Sequence, residues 1–297
     1  MGLSTVDTRS PPSKRRQHLT VAIPASLTED TPHLREKTYK AGLIARACSI
    51  FRVEEIVIYS DKLEQNQHED SEFIATILRY MDTPQYLRRS LFKLEPRLKY
   101  IGILPPLRSP HHQVTRIRRN VKPGNLRKGL VVETRGGRSL VDVGLEELAS
   151  VQECLPRMSV VTVRLTKIGK RLEAAVLDDS EIRIYWGYNV TVTKLPLAES
   201  TRRIGFDLVI ATSRYGRGID EVLPELQSAW TRSKKTLVAF GSPAQGLEQI
   251  LAQEGLDQDR YADFTVNMIP QQGVETIRTE EAVYACLSIL NTVTSLG

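Results

Sequence analysis

The stretch EEIVIYS, residues 54–60, has an unbroken apolar centre. A strand wet on one face alternates apolar and polar residues. A continuous apolar run suits a strand covered on both faces, as in a parallel sheet flanked by helices. HLTVAIPAS reads as an earlier strand ending near Pro24. Between the two, TPHLREKTYKAGLIARACSIF sets Leu34, Thr38, Ala41, Ala45 and Cys48 at helical spacing, which predicts one buried helix face. Thr31 suits the N-cap of this helix and Pro32 its first position. SEFIATILRYM and PQYLRRSLF read as further helices, and KYIGILPPL as a strand stopped by its prolines. The alternation resumes at FDLVIATS, with strands TLVAF and FTVNMI and helices IDEVLPELQSAW, GLEQILAQE and EEAVYACLSIL. Strands alternating with helices predict an α/β layer.

A different pattern interrupts this layer. Residues 107–195 hold short β signals: GLVVET, SLVDVG, SVVTVRLT, RLEAAVLD and IYWGYNVTVTK. Gly136-Gly137 marks a hairpin turn, and Asp178-Asp179-Ser180 another turn. Closely spaced strands of this kind predict a small barrel. The expected division is a flexible basic arm at 1–17, an α/β half at 18–106, an inserted β domain at 107–195 and a second α/β half at 196–297. On the last helix Ala282, Val283, Cys286, Leu287, Ile289 and Leu290 cover more than one face. Such a helix is buried on two sides, within one chain or against a second copy.

Charge is concentrated in that interruption. The chain carries +6, yet nine Lys and Arg lie between Arg108 and Arg138 against the single acid Glu133, so this segment carries +8 and the remainder −2. Clustered cationic charge attracts phosphate backbones, which makes nucleic acid the expected partner and a solvated loop the alternative. The candidate RNA contacts are Arg108, Arg116, Arg118 and Arg119, followed by Lys122, Arg127 and Lys128. His111 and His112 make a poor metal site, because adjacent residues on a strand point to opposite faces; a contact with RNA phosphate, or a plain loop, is expected instead. Cys48, Cys154 and Cys286 are odd in number, far apart and without CxxC spacing. A reducing, cytoplasmic setting without disulfides or a metal fits them. No apolar run approaches the ~18 residues of a membrane span, and MGLSTVDTRSPPSKRRQ lacks the apolar core of a signal peptide.

Parallel α/β sheets bind ligands at the carboxyl ends of their strands. Three such ends carry glycine-bearing loops: TSRYGRG (212–218), GSPAQG (241–246) and PQQGVETIRT (270–279). Glycine lets main chain approach a ligand closely. Gly241 and Gly246 have phosphate-loop spacing, but Leu247 and Glu248 stand where Lys and Ser or Thr are needed. Gly216 and Gly218 lack the third glycine of a dinucleotide fingerprint. An adenosine ligand held by main-chain groups remains open. G-x-S-x-G and H-E-x-x-H motifs are absent. Glu280 and Glu281 suit the first turn of a helix, whereas Arg278 just before it is mismatched with the helix dipole and calls for an anionic partner.

LVAFGSPAQGLE and FTVNMIPQQGVETIRTEEA, with the earlier SPHH and YWGYNV, resemble the SPOUT methyltransferases. The nearest likeness is to the RNA uridine-N3 methyltransferases of archaea and eukaryotes, and it extends from VAIPAS and AGLIARACSIF through TPQYLRRSLF to the last helix. The resemblance implies a trefoil-knotted parallel sheet, an inserted OB-like barrel and a homodimer with sites at the subunit interface. It implies S-adenosylmethionine held by Thr212, Arg214 and Gly216, then by Phe240, Gly241 and Ser242. The set continues with Asn267, Met268, Pro270 and Gly273, and ends with Thr276, Ile277 and Arg278. TSRYGRG offers two residues for the family's arginine role, Arg214 and Arg217.

The implied activity is methyl transfer to uridine N3 in large-subunit rRNA. The cofactor carries an electrophilic methyl, so the protein must mainly align the attacking nitrogen with it. A proton must also leave N3, and Glu275, Glu281 and Asp220 are candidate acceptors, with Arg278 a further catalytic candidate. The target base is expected to be unpaired or flipped out. A non-catalytic RNA-binding or ribosome assembly factor on the same fold is the alternative from another class. A nucleotide hydrolase is disfavoured by the missing lysine.

Overall fold

A computed structural model describes residues 10–294 of the chain. They divide into two compact units: residues 15–82, 95–107 and 187 onward form one, and residues 10–14, 83–94 and 108–186 the other. Residues 1–9 of the expected basic arm lie outside the described residues. Of the rest, Ser13 bridges to Ile184, and the Arg15 guanidinium donates to Phe51 O (2.9 Å) and Asn291 Oδ1 (2.7 Å), so this part of the arm is tied down. Burial pulls the Arg15 pKa down to about 10; Arg52 adds to the effect and Glu54 opposes it.

The first unit starts with β1 (His18–Pro24), α1 (Leu34–Ile50), β2 (Glu55–Ser60) and α2 (His68–Asp82). The chain then enters the second unit with α3 (Gln85–Leu91) and, after residue 108, β3 (Leu126–Arg135), β4 (Arg138–Asp142), β5 (Ala149–Val151), β6 (Val160–Ile168) and β7 (Leu172–Val176). It returns to the first with β8 (Asn189–Pro196), α4 (Leu197–Ile204), β9 (Leu208–Gly218), α5 (Ile219–Arg232), β10 (Lys235–Ala239), α6 (Leu247–Gln253), α7 (Gln258–Tyr261), β11 (Phe264–Asn267) and α8 (Thr279–Thr294).

The first unit is built on a six-stranded sheet in the order β11-β9-β10-β1-β2-β8, with every neighbouring pair parallel. Ile56 and Ile58 of β2 join one core with α1, α2, α5 and α8, while Val57 and Tyr59 join another with α4 and α6. Alternate residues of one strand thus enter opposite apolar layers, which is why EEIVIYS carries no polar residue at its centre. Burying each such side chain contributes roughly 1.5–3 kcal/mol. On α8, Val283, Cys286, Leu287 and Leu290 recur at helical spacing and are all buried.

The second unit is a closed barrel in the order β3-β4-β5-β7-β6. Its interior is filled by Val131, Val141, Val151, Val163, Leu165 and Leu172. The β3–β4 hairpin turns at Gly136 and Gly137, with φ of +60° and +77°, a conformation that favours glycine at both positions. The turn at Asp178 is a short 3₁₀ helix closed by a capping box between Asp178 and Glu181.

Several expectations need correction. Residues 189–195, assigned above to the β domain, belong to β8, the edge strand of the large sheet, and the contact boundary falls between Trp186 and Gly187. KYIGILPPL is not a strand. It follows a 3₁₀ turn at Pro96–Leu98 and contains another at Ile101–Ile103, and Ile101, Leu104 and Leu107 pack on the core from one side. Gly42 in α1 admits Leu104, whose Cδ2 would lie 2.4 Å from a Cβ there. Helix α1 starts at Leu34 after an extended His33, not at Pro32. The Thr31 hydroxyl is engaged with Asp30 Oδ1 (3.1 Å) and so does not cap it. Finally, 212–218 is not a loop after a finished strand: β9 runs on to Gly218, and only 212–216 bulge out between the paired residues Ala211 and Arg217.

Candidate functional site

The far half of β9 makes an abrupt excursion. Thr265 of β11 pairs with Ala211 but the next residue, Val266, pairs with Arg217, so residues 212–216 loop out of the sheet. Gly216 is where the excursion rejoins, and a Cβ there would lie 2.6 Å from Thr265 O. Its bare Cα serves strand packing.

The excursion lies at the carboxyl ends of β9, β10 and β11, where a cavity of about 390 Å3 opens. Residues 212–215 form one wall, 240–249 a second, and 266–269, 272 and 275–277 a third, with Thr279, Ala282 and Cys286 of α8 behind. Hydrogen bonds fix these walls to the sheet and to one another. The Tyr59 hydroxyl donates to Phe240 O (2.7 Å) and Thr212 Oγ1 to Ala239 O (2.9 Å), which locks the end of β10. Asn267 Nδ2 donates to Arg214 O (2.9 Å), joining the third wall to the first. Thr279 Oγ1 donates to Gly241 O (3.2 Å), joining α8 to the second. Gly241 sits in a tight turn closed by Ser242 N donating to Gln245 O (2.9 Å), and a Cβ at 241 would stand 2.9 Å from that same oxygen.

Of the residues expected at a cofactor, Thr212, Arg214, Phe240, Gly241 and Ser242 line this cavity, as do Asn267, Met268, Thr276 and Ile277. Four are not among its lining: Gly216, Pro270, Gly273 and Arg278. Gly273 has nothing within 4 Å of where its Cβ would be. The two arginines of TSRYGRG separate. Arg214 lines the cavity and donates Nη1 to Glu275 O (2.8 Å). Arg217 instead pairs with Glu225 (3.4 Å) and Glu221 (4.0 Å) on α5.

The acid candidates separate as well. Glu275 lines the cavity. Glu281 Oε2 accepts from Arg278 N (2.9 Å), an N-terminal cap on α8 outside the lining. Asp220 lies in the first turn of α5 and is not in the lining either. Burial works to raise the Asp30 pKa, but Lys40, Thr31 and, least of all, the more distant charge of Arg278 hold it below its ordinary value. Lys40, itself buried, pairs with Asp30 at 2.7 Å and with Glu280 at 3.5 Å, tying α1 to the first turn of α8. At the back of the cavity, burial pushes the Cys286 thiol up to about 12, so it stays protonated.

In the barrel unit the basic residues have unequal fates. Arg108, Arg116, Arg119 and Lys122 are exposed, and His112 and Lys128 are half-buried. Arg118 is engaged with Glu147 at 2.6 Å. Two expectations fail outright. Arg127 is fully buried and donates to Val143 O (3.2 Å) and Thr115 O (2.9 Å), with its guanidinium 6.0 Å from the Tyr86 ring centre. Its charge is spent on main-chain carbonyls, and burial lowers its pKa. His111 is also fully buried, its ring 4.2 Å from that of His112 and 5.8 Å from that of Trp186. Neither reaches a phosphate from these positions.

A family model described as "Putative RNA methyltransferase" matches residues 18–290. The chain belongs to this family. Its activity class is therefore that of a methyltransferase. A mouse protein named 28S rRNA (uridine-N(3))-methyltransferase is 35% identical over 92% of this chain and 75% of its own length. The human protein of the same name is 34% identical over 92% of this chain and 77% of its own. An uncharacterized protein of Haloarcula marismortui is 33% identical over 91% of this chain and 97% of its own. Among solved structures, a Neisseria gonorrhoeae chain titled a "putative methylase family protein" covers 99% of this chain and 88% of its own, with a TM-score of 0.38 at 10% identity, too slight a likeness to support a fold assignment.

For this RNA methyltransferase, sequence reasoning missed Tyr215, Gln245, Glu248 and Cys286 as cavity residues. Tyr215 was legible in principle, since it lies between two positions already assigned. Cys286 was not, because a buried helical cysteine looks the same whether it backs a core or a cavity.

Proposed function

We propose that the protein transfers the methyl group of S-adenosylmethionine to N3 of a uridine in large-subunit rRNA. The observation that carries this reading is the cavity of about 390 Å3 at the carboxyl ends of three parallel strands, walled largely by the segments after them. Its size falls within the roughly 300–1,000 Å3 of ordinary ligand pockets. Its lining suits an adenosine sulfonium: Phe240, Leu247, Met268 and Ile277 offer apolar surface, and the Gly241 turn brings main chain to the edge. The names of the mouse and human relatives support the uridine target.

When bound, the cofactor supplies an electrophilic methyl, and what remains for the protein is alignment and removal of one proton. Glu275 is the proposed acceptor of the N3 proton. It lines the cavity, and its main chain is held by Arg214 and by Gln272 Nε2 (3.1 Å). Glu248 also lines the cavity, but it occupies the first turn of α6, where a carboxylate is favoured by the helix dipole.

The same reading includes a SPOUT-type trefoil knot, an OB-like character for the barrel, a homodimer and a cytoplasmic setting. The knot is supported by the strand order, in which β11 pairs outside β9 although it follows β10, and by the ties between the three walls. The five-stranded closed barrel supports the OB-like assignment. The exposed cations Arg108, Arg116, Arg119 and Lys122 support RNA binding. The free thiols of Cys48, Cys154 and Cys286 support a reducing compartment.

The deciding experiment has two arms. Calorimetry with S-adenosylmethionine should give saturable binding, and rRNA from cells lacking the gene should lose one N3-methyluridine by mass spectrometry. Binding without that loss points to another nucleotide. Absence of both leaves a non-catalytic RNA-binding module.

A further inference from the structure

Tyr215 stands at the mouth of the cavity with 74% of its surface exposed. An exposed aromatic ring in a loop ordinarily has nothing to hold it, yet this one is fixed. The Arg214 guanidinium lies 4.6 Å from the ring centre and also donates to the Tyr215 hydroxyl. Arg214 is itself anchored, through Nη1 to Glu275 O (2.8 Å) and through its own carbonyl, which accepts from Asn267 Nδ2 (2.9 Å). Tyr215 N donates to Ser213 Oγ (3.2 Å). One ring face is therefore backed by a cation, and the other is left to solvent beside the cavity.

We propose that this open face is the platform on which the target pyrimidine stacks while its N3 is presented to the methyl donor. The proposal rests on the methyltransferase reading and deepens it. Three physical points favour a base over other occupants. A base removed from its stack loses stacking on both sides, and an aromatic ring replaces one of them. Arg214 behind the ring places a positive charge near an approaching nucleotide, which suits the anionic backbone that a base brings with it. Pre-orientation of the ring means that little side-chain freedom is lost on binding. Stacking also explains how a shallow, exposed position could set the plane of the base, leaving polar groups such as Glu275 to act at its edge.

The test uses large-subunit rRNA from cells lacking the gene, labelled S-adenosylmethionine, and the wild type beside Tyr215→Ala and Tyr215→Phe. Base–aromatic stacking corresponds to roughly 5- to 150-fold in affinity, and Tyr215→Ala should lower kcat/KM for rRNA within that span. Tyr215→Phe, which keeps the ring, should restore most of it. Cofactor affinity by calorimetry and mass by light scattering should be the same for all three proteins. Undiminished transfer by Tyr215→Ala overturns the proposal. So does an equal loss in Tyr215→Phe, which would make the hydroxyl the active part. Weakened cofactor binding would give the ring to the adenosine, and a changed mass would give it to a second copy. If the wild type itself transfers no methyl, the underlying reading fails and the platform with it.

Discussion

In the parallel-sheet unit the residues expected to act together do come together. Nine of thirteen expected cofactor positions, drawn from segments as far apart as 212 and 277, line one cavity. In the barrel unit the residues expected to act together partly disperse. Within the single run 116–128, Arg116 and Arg119 are exposed, Arg118 is paired with Glu147, and Arg127 is buried. The difference lies in what holds each group. Parallel strands that begin at one edge of a sheet must end at the other, so loops after β9, β10 and β11 meet whatever their side chains are. A run of charge has no such guarantee. Successive side chains on a strand point to opposite faces, and on β3 Arg127 turns inward opposite the buried Val163 while Lys128 is half-exposed.

The largest effect should come from the cavity's chemistry. Glu275→Gln should lower kcat by about 10²–10⁴, the usual contribution of a positioned general base, with cofactor affinity unchanged. Glu248→Gln is the comparison: if it alone abolishes turnover, the proton acceptor is on α6. Next in size is the turn at Gly241. Gly241→Val forces a methyl-bearing carbon toward Gln245 O, and a strain of roughly 1–3 kcal/mol should weaken cofactor binding by about 5- to 150-fold. Gly273→Val should do almost nothing, because Gly273 is outside the cavity lining and its Cβ position is open space beyond its chain neighbours. The opposite ranking in calorimetry would break the assignment of the walls.

The contrast also describes what could be read in the sequence. Strand positions were legible because the apolar runs at 56–58 and 237–239 fit a doubly covered sheet, and the hairpin at Gly136-Gly137 because positive φ favours glycine. The edge-strand residues 189–195 were misassigned because their alternation looks alike in a barrel and at a sheet edge, and only the parallel pairing of Asn189 with Glu55 separates the two. KYIGILPPL failed for a similar reason, since four apolar residues and two prolines suit a strand end or successive tight turns equally. At the site, position was legible and partnership was not. Arg278 is legible as a cation mismatched with its helix end, but that its charge is felt at Asp30, far away in sequence, is not. Arg214 and Arg217 were equivalent until Glu221 and Glu225 claimed the second.

The barrel gives the smaller effects. Reversing Arg116, Arg119 and Lys122 to glutamate should weaken rRNA binding and flatten its dependence on salt. If all three meet phosphates, the slope of log affinity against log salt should fall by about two, at ~0.7 per contact on single-stranded RNA. An unaltered slope would move the RNA surface elsewhere.

Arg127→Met is the sharper case, because here the expected effect on RNA is nil. Its guanidinium satisfies two carbonyls, the buried Val143 O and the partly buried Thr115 O. Leaving buried acceptors unpaired costs about 1–3 kcal/mol each, so the variant should melt earlier while its rRNA affinity and salt slope at lower temperature stay those of the wild type. A slope reduced by the same increment as for Lys122→Glu alone would mean that Arg127 leaves the interior to meet phosphate. The barrel would then share its charge with RNA as a whole, and the difference drawn between topology and charge would no longer hold.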